Sequence, residues 1–201
     1  MSDTDLFSDL KVCPWLKGRK HTPTLPDLAE YIERLNPENV FDVGCGGGEL
    51  LLQLGKRGLK PWQLYGCDIE PDHVELTRRR TNMDASRLRV ADFTKGSPFG
   101  RLFHVVTTMN WLQSDWSHEL AVLTPHKDRN PDRFEQIIES VRRSLRPGGL
   151  YCWDWHGEDR GDRHKEKLES MGWKRFDTLT FPDDQPKRYP EHYPIYVHQR
   201  P

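Results

Sequence analysis

A glycine-rich turn beside an acid is the segment whose residue types could support ligand chemistry. Gly44, Gly46 and Gly48 follow a short apolar run that contains Asp42. Glycine has no Cβ atom, so the backbone can turn sharply there and approach a ligand closely. The dinucleotide fingerprint requires its third glycine at position 49, which is Glu49, so a nicotinamide or flavin cofactor fits poorly. The turn therefore predicts a ligand site of another class.

Two further acids stand at corresponding places in the chain. Asp68 and Asp92 each follow a predicted strand, and each precedes an apolar residue, Ile69 or Phe93. Open parallel sheets bind ligands at the carboxyl ends of their strands, where the strand order reverses beside the first strand. We therefore expect these acids to lie close to the glycine turn.

Apolar patterns along the chain predict the elements that position these residues. The predicted strands are 40–43, 63–67, 88–91, 102–109, 150–155, 173–180 and 195–199. The predicted helices are 26–36, 49–54, 71–80, 131–146 and 161–171. Alternating strands and helices are typical of a parallel sheet, and the helix-free connection before the last strand favours an antiparallel one. We predict an α/β fold: a seven-stranded, doubly wound, mostly parallel sheet with an antiparallel last strand and helices on both faces.

Length and composition bound the domain organisation. The chain has 201 residues, enough for one domain with a core, and 30 basic residues nearly balance 31 acidic ones. We expect an irregular N-terminal segment over 1–25 and a single domain over 26–201, with 112–130 and 181–194 as loops. No apolar run approaches the roughly 18–20 residues of a membrane helix, and the N-terminus lacks a signal-peptide pattern, so we expect a cytoplasmic location. The near-zero net charge argues against strong general affinity for nucleic acid.

Four motifs resemble those of the class I S-adenosylmethionine-dependent methyltransferases. They are the acid and glycine turn at 42–48, the acid Asp68 after strand two, Asp92-Phe93 after strand three, and the turn Pro147-Gly148-Gly149 before strand five. The resemblance covers residues 38–155 by motif, and the strand order extends it to the end of the chain. One departure is His104, where family members often carry an acid; we interpret it as a surface or edge substitution.

The resemblance implies that S-adenosylmethionine is the cofactor, and it gives each acid a role. Asp68 would accept both ribose hydroxyls, Asp92 would take the adenine amino group, and Asp42 with the glycine turn would hold the methionine moiety. Phe93 would stack on the cofactor or offer a backbone contact. The implied cofactor set is Asp42, Gly44, Cys45, Gly46, Gly48, Asp68, Ile69, Asp92, Phe93, Asn110 and Trp111.

The acceptor side is less specific in sequence. Methyl transfer from a sulfonium needs a base only when the nucleophile arrives protonated. His118 and His156 are the candidate bases, because their pKa suits neutral pH. Asn110 and Trp111 would lie near the methyl group, whereas we interpret Trp153 as core packing. Candidate acceptor contacts are Trp116, Tyr189 and His192.

We predict methyl transfer to an oxygen or nitrogen atom of a small-molecule acceptor, with no metal. Two alternatives stay open: methylation of RNA or protein, and a non-catalytic module that keeps the fold as an interaction surface. The basic segment 17–20 and the arginines 78–80, 87 and 89 favour the RNA alternative. Charge runs usually form a solvated helix end, so we expect no nucleic-acid partner and no membrane partner.

Overall fold

The computed structural model describes residues 24–109, 131–154, 160–179 and 195–201. The strands are β1 (Val40–Val43), β2 (Leu64–Asp68), β3 (Leu88–Val90), β4 (Phe103–Thr108), β5 (Leu145–Asp154), β6 (Lys174–Leu179) and β7 (Ile195–Gln199). The α-helices are α1 (Thr24–Arg34), α2 (Glu49–Lys56), α3 (Pro71–Thr81), α4 (Pro131–Ser144) and α5 (Arg160–Ser170). Short 3₁₀ turns span Pro61–Gln63 and Phe93–Lys95.

The strands form one seven-stranded sheet in the order β3-β2-β1-β4-β5-β7-β6. β1 pairs in parallel with β2 and β4, which places Asp42 opposite Gly66 on one side and Thr107 on the other. β7 lies between β5 and β6 and runs antiparallel to both. The predicted mostly parallel sheet with an antiparallel last strand is therefore confirmed.

The sheet carries a helical layer on each face, as predicted. Successive strand residues point to opposite faces, so Val40 joins one core cluster and Phe41 the other. The first cluster packs α1, α2 and α3 on the sheet through Leu28, Ile32, Leu51, Leu54 and Val74. The second packs α4 and α5 through Ile137, Ile138, Val141 and Leu168. Within the described ranges, none of these helices has the length and apolar character that crossing a bilayer requires.

The start of β5 differs from the prediction. The helical pattern was expected to run to residue 146, but α4 ends at Ser144 and β5 begins at Leu145. Leu145 pairs with Phe103 and Leu150 pairs with Val105, so the residues between them bulge out of the ladder. Gly148 has a φ of +74° there, which favours glycine. The buried Leu145 side chain fits the helical period and the sheet equally well, so periodicity alone misplaces this boundary.

Trp153 belongs to the core, as its place in an alternating strand predicts. Its ring is fully buried and stacks on Tyr196 with the ring centroids 4.5 Å apart. Its indole Nε1 donates a hydrogen bond to Nδ1 of His198 at 3.2 Å. Trp153 therefore stabilises the β5–β7 pairing rather than lining an acceptor pocket.

Acidification is expected to destabilise the fold through His198. Burial lowers the pKa of this histidine to about 4, against 6.5 for an ordinary histidine. Below pH 6.5 the imidazole of His198 becomes protonated in the unfolded chain, whereas in the folded chain it stays neutral until about pH 4. Stability is therefore lost as the pH falls through that window, by at most about 3 kcal/mol.

The variant His198→Gln keeps an acceptor for Trp153 and removes the titration. Urea unfolding of the wild type and of His198→Gln at several pH values isolates the effect of His198. Groups such as Asp42 titrate in both proteins, so their contributions cancel in the difference. From about pH 7 to about pH 4.5, the difference in unfolding free energy should shift by about 2–3 kcal/mol in favour of the variant. Parallel pH profiles would contradict the prediction.

Candidate functional site

The glycine turn connects the end of β1 to the start of α2. Gly44, Gly46 and Gly48 have φ values of +68°, +51° and +75°, a region that residues with a Cβ rarely adopt. The Cys45 N–H donates to the carbonyl of Cys67 at 2.9 Å, and Gly48 N–H donates to the Cys45 carbonyl at 2.8 Å. Cys45 is buried, so its backbone rather than its thiol serves the turn. The turn is thereby held against the carboxyl end of β2.

Helix α3 fixes the turn from behind with two side chains that sequence reasoning missed. Thr77 donates its hydroxyl to the Gly46 carbonyl at 2.7 Å. Arg80 donates from Nη1 to the Gly47 carbonyl at 2.8 Å and forms an ion pair with Glu49. Because these carbonyls are bonded to α3, the orientation of the turn is set before any ligand arrives.

The expectation of a solvated arginine cluster is correct for two residues of α3 and wrong for the third. Arg78 and Arg79 both pair with Glu75 on the surface of the helix. The side chain of Arg80 is only 7% exposed, because it reaches across to the glycine turn. The spacing of Arg80 along α3 could have indicated this burial, because Arg80 lies on the same helical face as the buried residues His73 and Thr77.

The carboxylate of Asp68 is held at the carboxyl end of β2, directly against the glycine turn. Its Oδ2 accepts from Gly46 N–H at 2.9 Å, and its Oδ1 accepts from Glu70 N–H at 3.0 Å. Nδ1 of the buried His73 forms an ion pair with Oδ1 at 3.2 Å, and this pairing raises the pKa of His73. Each carboxylate oxygen can accept a further bond, so Asp68 can still receive ligand hydroxyls.

Asp42 lies at the end of β1 and is buried. Thr107, opposite it on β4, donates its hydroxyl to Oδ1 at 2.7 Å. Burial raises the pKa of Asp42 to about 7, the Thr107 bond opposes this, and the charges of Asp68 and Asp154 add to it. Three buried carboxylates thus stand near the ends of three parallel strands. Their combined field favours a cation.

The residues after β2 and β3 offer an edge suited to a flat polar ring. Asp92 accepts at Oδ1 from the amide and the hydroxyl of Thr94, at 3.1 and 2.6 Å, and its carboxylate is partly exposed. Ile69 is 52% exposed beside Asp68 and presents apolar surface. The ring of Phe93 is buried against Phe41 with the centroids 5.5 Å apart. Of the two expected contacts of Phe93, stacking is therefore wrong, and the backbone contact is the one its position permits.

The structure thus brings together one part of the predicted site. Asp42, the glycine turn, Asp68, Ile69 and Asp92 lie at successive carboxyl ends of β1, β2 and β3. Seven candidates lie outside the described residues: Asn110, Trp111, Trp116, His118, His156, Tyr189 and His192. In the described part of the chain, no three His, Cys, Asp or Glu side chains are grouped so that they could hold a metal ion.

Gly48→Ala is expected to destabilise the protein more than Gly46→Ala does. Both positions have positive φ, so both substitutions carry a backbone cost of about 1 kcal/mol. A Cβ on Gly48 would lie 2.6 Å from Cγ2 of Thr77, whereas a Cβ on Gly46 would meet nothing within 4 Å. We expect a total loss of about 3 kcal/mol or more for Gly48→Ala in urea unfolding. Equal losses in the two variants would contradict the clash.

Comparison with known proteins gives one family match over the centre of the chain. A family described as "Methyltransferase domain" matches residues 40–149, which is more than half of the chain. The tRNA N(3)-methylcytidine methyltransferase Mettl2 of Drosophila melanogaster is 24% identical over 140 residues. That similarity covers 67% of this chain and 39% of the fly protein, so the chain spans well under half the length of this curated relative.

Solved structures show the same fold. A TehB-like SAM-dependent methyltransferase from Corynebacterium glutamicum matches with a TM-score of 0.63 at 18% identity, covering 86% of each chain. The N-methyltransferase NodS from Bradyrhizobium japonicum, in complex with S-adenosyl-L-homocysteine, matches with a TM-score of 0.63 at 15% identity. The NodS match covers 98% of this chain and 97% of NodS.

Proposed function

Because this chain belongs to the methyltransferase domain family and has the class I S-adenosylmethionine-dependent methyltransferase fold, we propose that it methylates an oxygen or nitrogen atom of a small-molecule acceptor. The observation that carries the cofactor part of the proposal is the hydrogen bond from Gly46 to the Asp68 carboxylate, and the net charge of −1 favours the small-molecule acceptor. This bond joins the glycine turn to an acid able to bind a diol.

The described residues fit S-adenosylmethionine part by part. Asp68 would accept the two ribose hydroxyls through the lone pairs that its protein bonds leave, and Ile69 would cover one face of the adenine. Asp92 would take the adenine amino group. The open space beside Gly46 leaves room for a ligand at the turn, and α2 begins with an N-terminus that suits a carboxylate. Asp42 would attract the ammonium and sulfonium charges.

Alignment is the main task left to the protein. When bound, S-adenosylmethionine supplies a methyl group on a positively charged sulfur, which is already an activated leaving group. The fixed glycine turn and Asp68 hold the donor side in one orientation, which lowers the entropic part of the barrier. We assign Asn110 and Trp111 to the methyl side, His118 and His156 as candidate bases, and Trp116, Tyr189 and His192 to the acceptor.

RNA is the second candidate acceptor. The similarity to a tRNA methyltransferase over 140 residues favours it, whereas a net charge of −1 favours a small molecule. A cytoplasmic location fits both acceptors and stays a prediction.

Calorimetry with S-adenosylmethionine, followed by transfer of a radiolabelled methyl group, tests the proposal. The label is offered to separate small-molecule, RNA and protein fractions. We expect micromolar binding and label in the small-molecule fraction. Label in RNA or protein alone would replace the small-molecule acceptor, and absence of cofactor binding would favour a non-catalytic module.

A further inference from the structure

A concave surface lies against β2 and β3, and its wall extends from Tyr65 near the start of β2 to Arg89 on β3. It encloses about 400 Å³, and its walls include the arginines Arg87, Arg89 and Arg101 together with Tyr65. No acidic residue is among the described residues that line it. Three cationic side chains around one concavity, with no acid in its wall, make it strongly positive.

The pocket is organised around the ring of Tyr65. Arg101 donates a hydrogen bond from Nη1 to the tyrosine hydroxyl, and its Cζ lies 4.9 Å from the ring centroid. The Cζ of Arg87 lies 5.6 Å from the same centroid, and its Nε donates to the Pro61 carbonyl at 3.1 Å. Cation–π contacts and these hydrogen bonds restrict both guanidinium groups, so their order does not depend on a ligand.

The charges in this pocket are weakly compensated by protein. Among the described residues, Arg89 and Arg101 form no ion pair with a carboxylate, and Arg89 is exposed. Arg87 has an exposed acid, Asp84, at 3.8 Å. Like charges that gather without close acids repel one another, and an anion bound among them removes that repulsion.

We propose that this pocket, formed by Tyr65, Arg87, Arg89 and Arg101, binds a phosphate group carried by a nucleotide or a nucleic acid. Guanidinium groups match the oxygens of a phosphate through paired hydrogen bonds. Trp62 is 61% exposed and directly follows Pro61, to which Arg87 is bonded, so its indole offers a surface on which a base can stack. A phosphate beside an aromatic surface is the chemistry of a nucleotide.

The pocket is separate from the proposed cofactor site. Tyr65 precedes Asp68 by three residues on β2, a distance of about 10 Å along an extended strand. Of the described residues that line the pocket, none belongs to the glycine turn or is Asp42, Asp68 or Asp92, so a ligand in the pocket binds without occupying that turn. The inference does not rest on the proposed function, and its failure would leave cofactor binding untouched.

Fluorescence anisotropy with single-stranded RNA of about 12 nucleotides, and competition by AMP or pyrophosphate, tests the proposal. The test variant is Arg89→Gln with Arg101→Gln, and Arg89→Gln alone serves if the double variant unfolds, because Arg89 is exposed. The matched control is Arg143→Gln on α4, whose side chain is 72% exposed. S-adenosylmethionine affinity, measured in parallel, reports an intact fold.

We expect the double variant to lose about tenfold or more in affinity at low salt, and the control to change by less than about twofold. Each lost phosphate contact should also reduce the steepness of the salt dependence. RNA bound far more tightly than AMP would identify a nucleic acid as the source of the phosphate, and equal affinities would identify a nucleotide. No binding of any probe at about 50 mM salt, or an equal loss in the control, would overturn the proposal.

Discussion

Asp68→Asn is expected to weaken S-adenosylmethionine binding by about 100-fold, or about 3 kcal/mol. A carboxylate can accept from both ribose hydroxyls while it keeps its bonds to Gly46 and Glu70. An asparagine side chain has one oxygen that accepts and one NH₂ group that only donates. The backbone N–H or ribose hydroxyl that faces the NH₂ group would therefore lose its acceptor. The charge that strengthens the hydrogen bonds is lost as well.

Calorimetry of the variant, with Glu70→Gln as the matched control, measures this effect. The control removes a neighbouring carboxylate that is exposed, and it leaves the backbone N–H to Asp68 in place. A second readout is the pKa of His73, which its pairing with Asp68 raises. That pKa should fall strongly in Asp68→Asn and only slightly in Glu70→Gln, because Asp68 is the main cause of the raised value and the charge of Glu70 a lesser one. A folded variant that binds the cofactor with wild-type affinity would refute the ribose assignment.

Asp42→Asn should have opposite effects on stability and on binding. Burial raises the pKa of Asp42 from 3.8 to about 7, so this carboxyl costs folding free energy progressively as the pH rises from about 4 to about 7, and the full cost is present above that range. A neutral asparagine, which keeps an oxygen for Thr107, should stabilise the fold at about pH 8 by about 2–4 kcal/mol. That gain corresponds to a melting temperature roughly 5–10 °C higher.

The stabilisation should depend on pH in one direction. At about pH 4 the carboxyl of Asp42 is protonated in the folded protein and about half protonated in the unfolded chain, so wild type and variant should then melt at similar temperatures. Cofactor affinity at about pH 8 should fall by about tenfold or more, because the variant lacks the charge that attracts a cation. Glu166→Gln, an exposed charge removal on α5, is the control for both measurements. Equal melting temperatures at about pH 8 would show that the Asp42 charge does not oppose folding.

These two substitutions also separate binding from folding at the site. Asp68 holds the glycine turn and would also bind the proposed ligand. The buried carboxyl of Asp42, in contrast, lowers the stability of the fold. A carboxylate retained in a buried position near two other carboxylates is typical of a functional position rather than a structural one. The stability curves and the affinities of the two variants therefore test different parts of one assignment.

The family and its fold could be predicted from sequence and are confirmed. The prediction succeeded because the glycine turn, Asp68 and Asp92 are each read from a few neighbouring residues. The periods of the strands and helices place the glycine turn and both acids at the same edge of a parallel sheet. The strand order then brings them close together. The acceptor loops carry no such local pattern, so their residues stay predictions.

Other features were decided by tertiary structure alone. Thr77 and Arg80 contact the glycine turn across 31 and 33 residues of sequence, and His73 is placed against Asp68 only when α3 packs. Residue type gave no sign that these side chains bind backbone carbonyls or a carboxylate. Arg101 likewise joins Tyr65 across 36 residues, so the arginine pocket does not exist in any local segment.

Sequence by itself determined the order of elements, the doubly wound sheet and the acids at its carboxyl edge, because periodicity and turn chemistry are local properties. Tertiary structure decided the pKa of Asp42, the burial of Arg80 and Phe93, and the register that starts β5 at Leu145. Burial and charge proximity depend on which distant segments pack together. They set the strength of an interaction, whereas sequence pattern sets only which groups are available to make it.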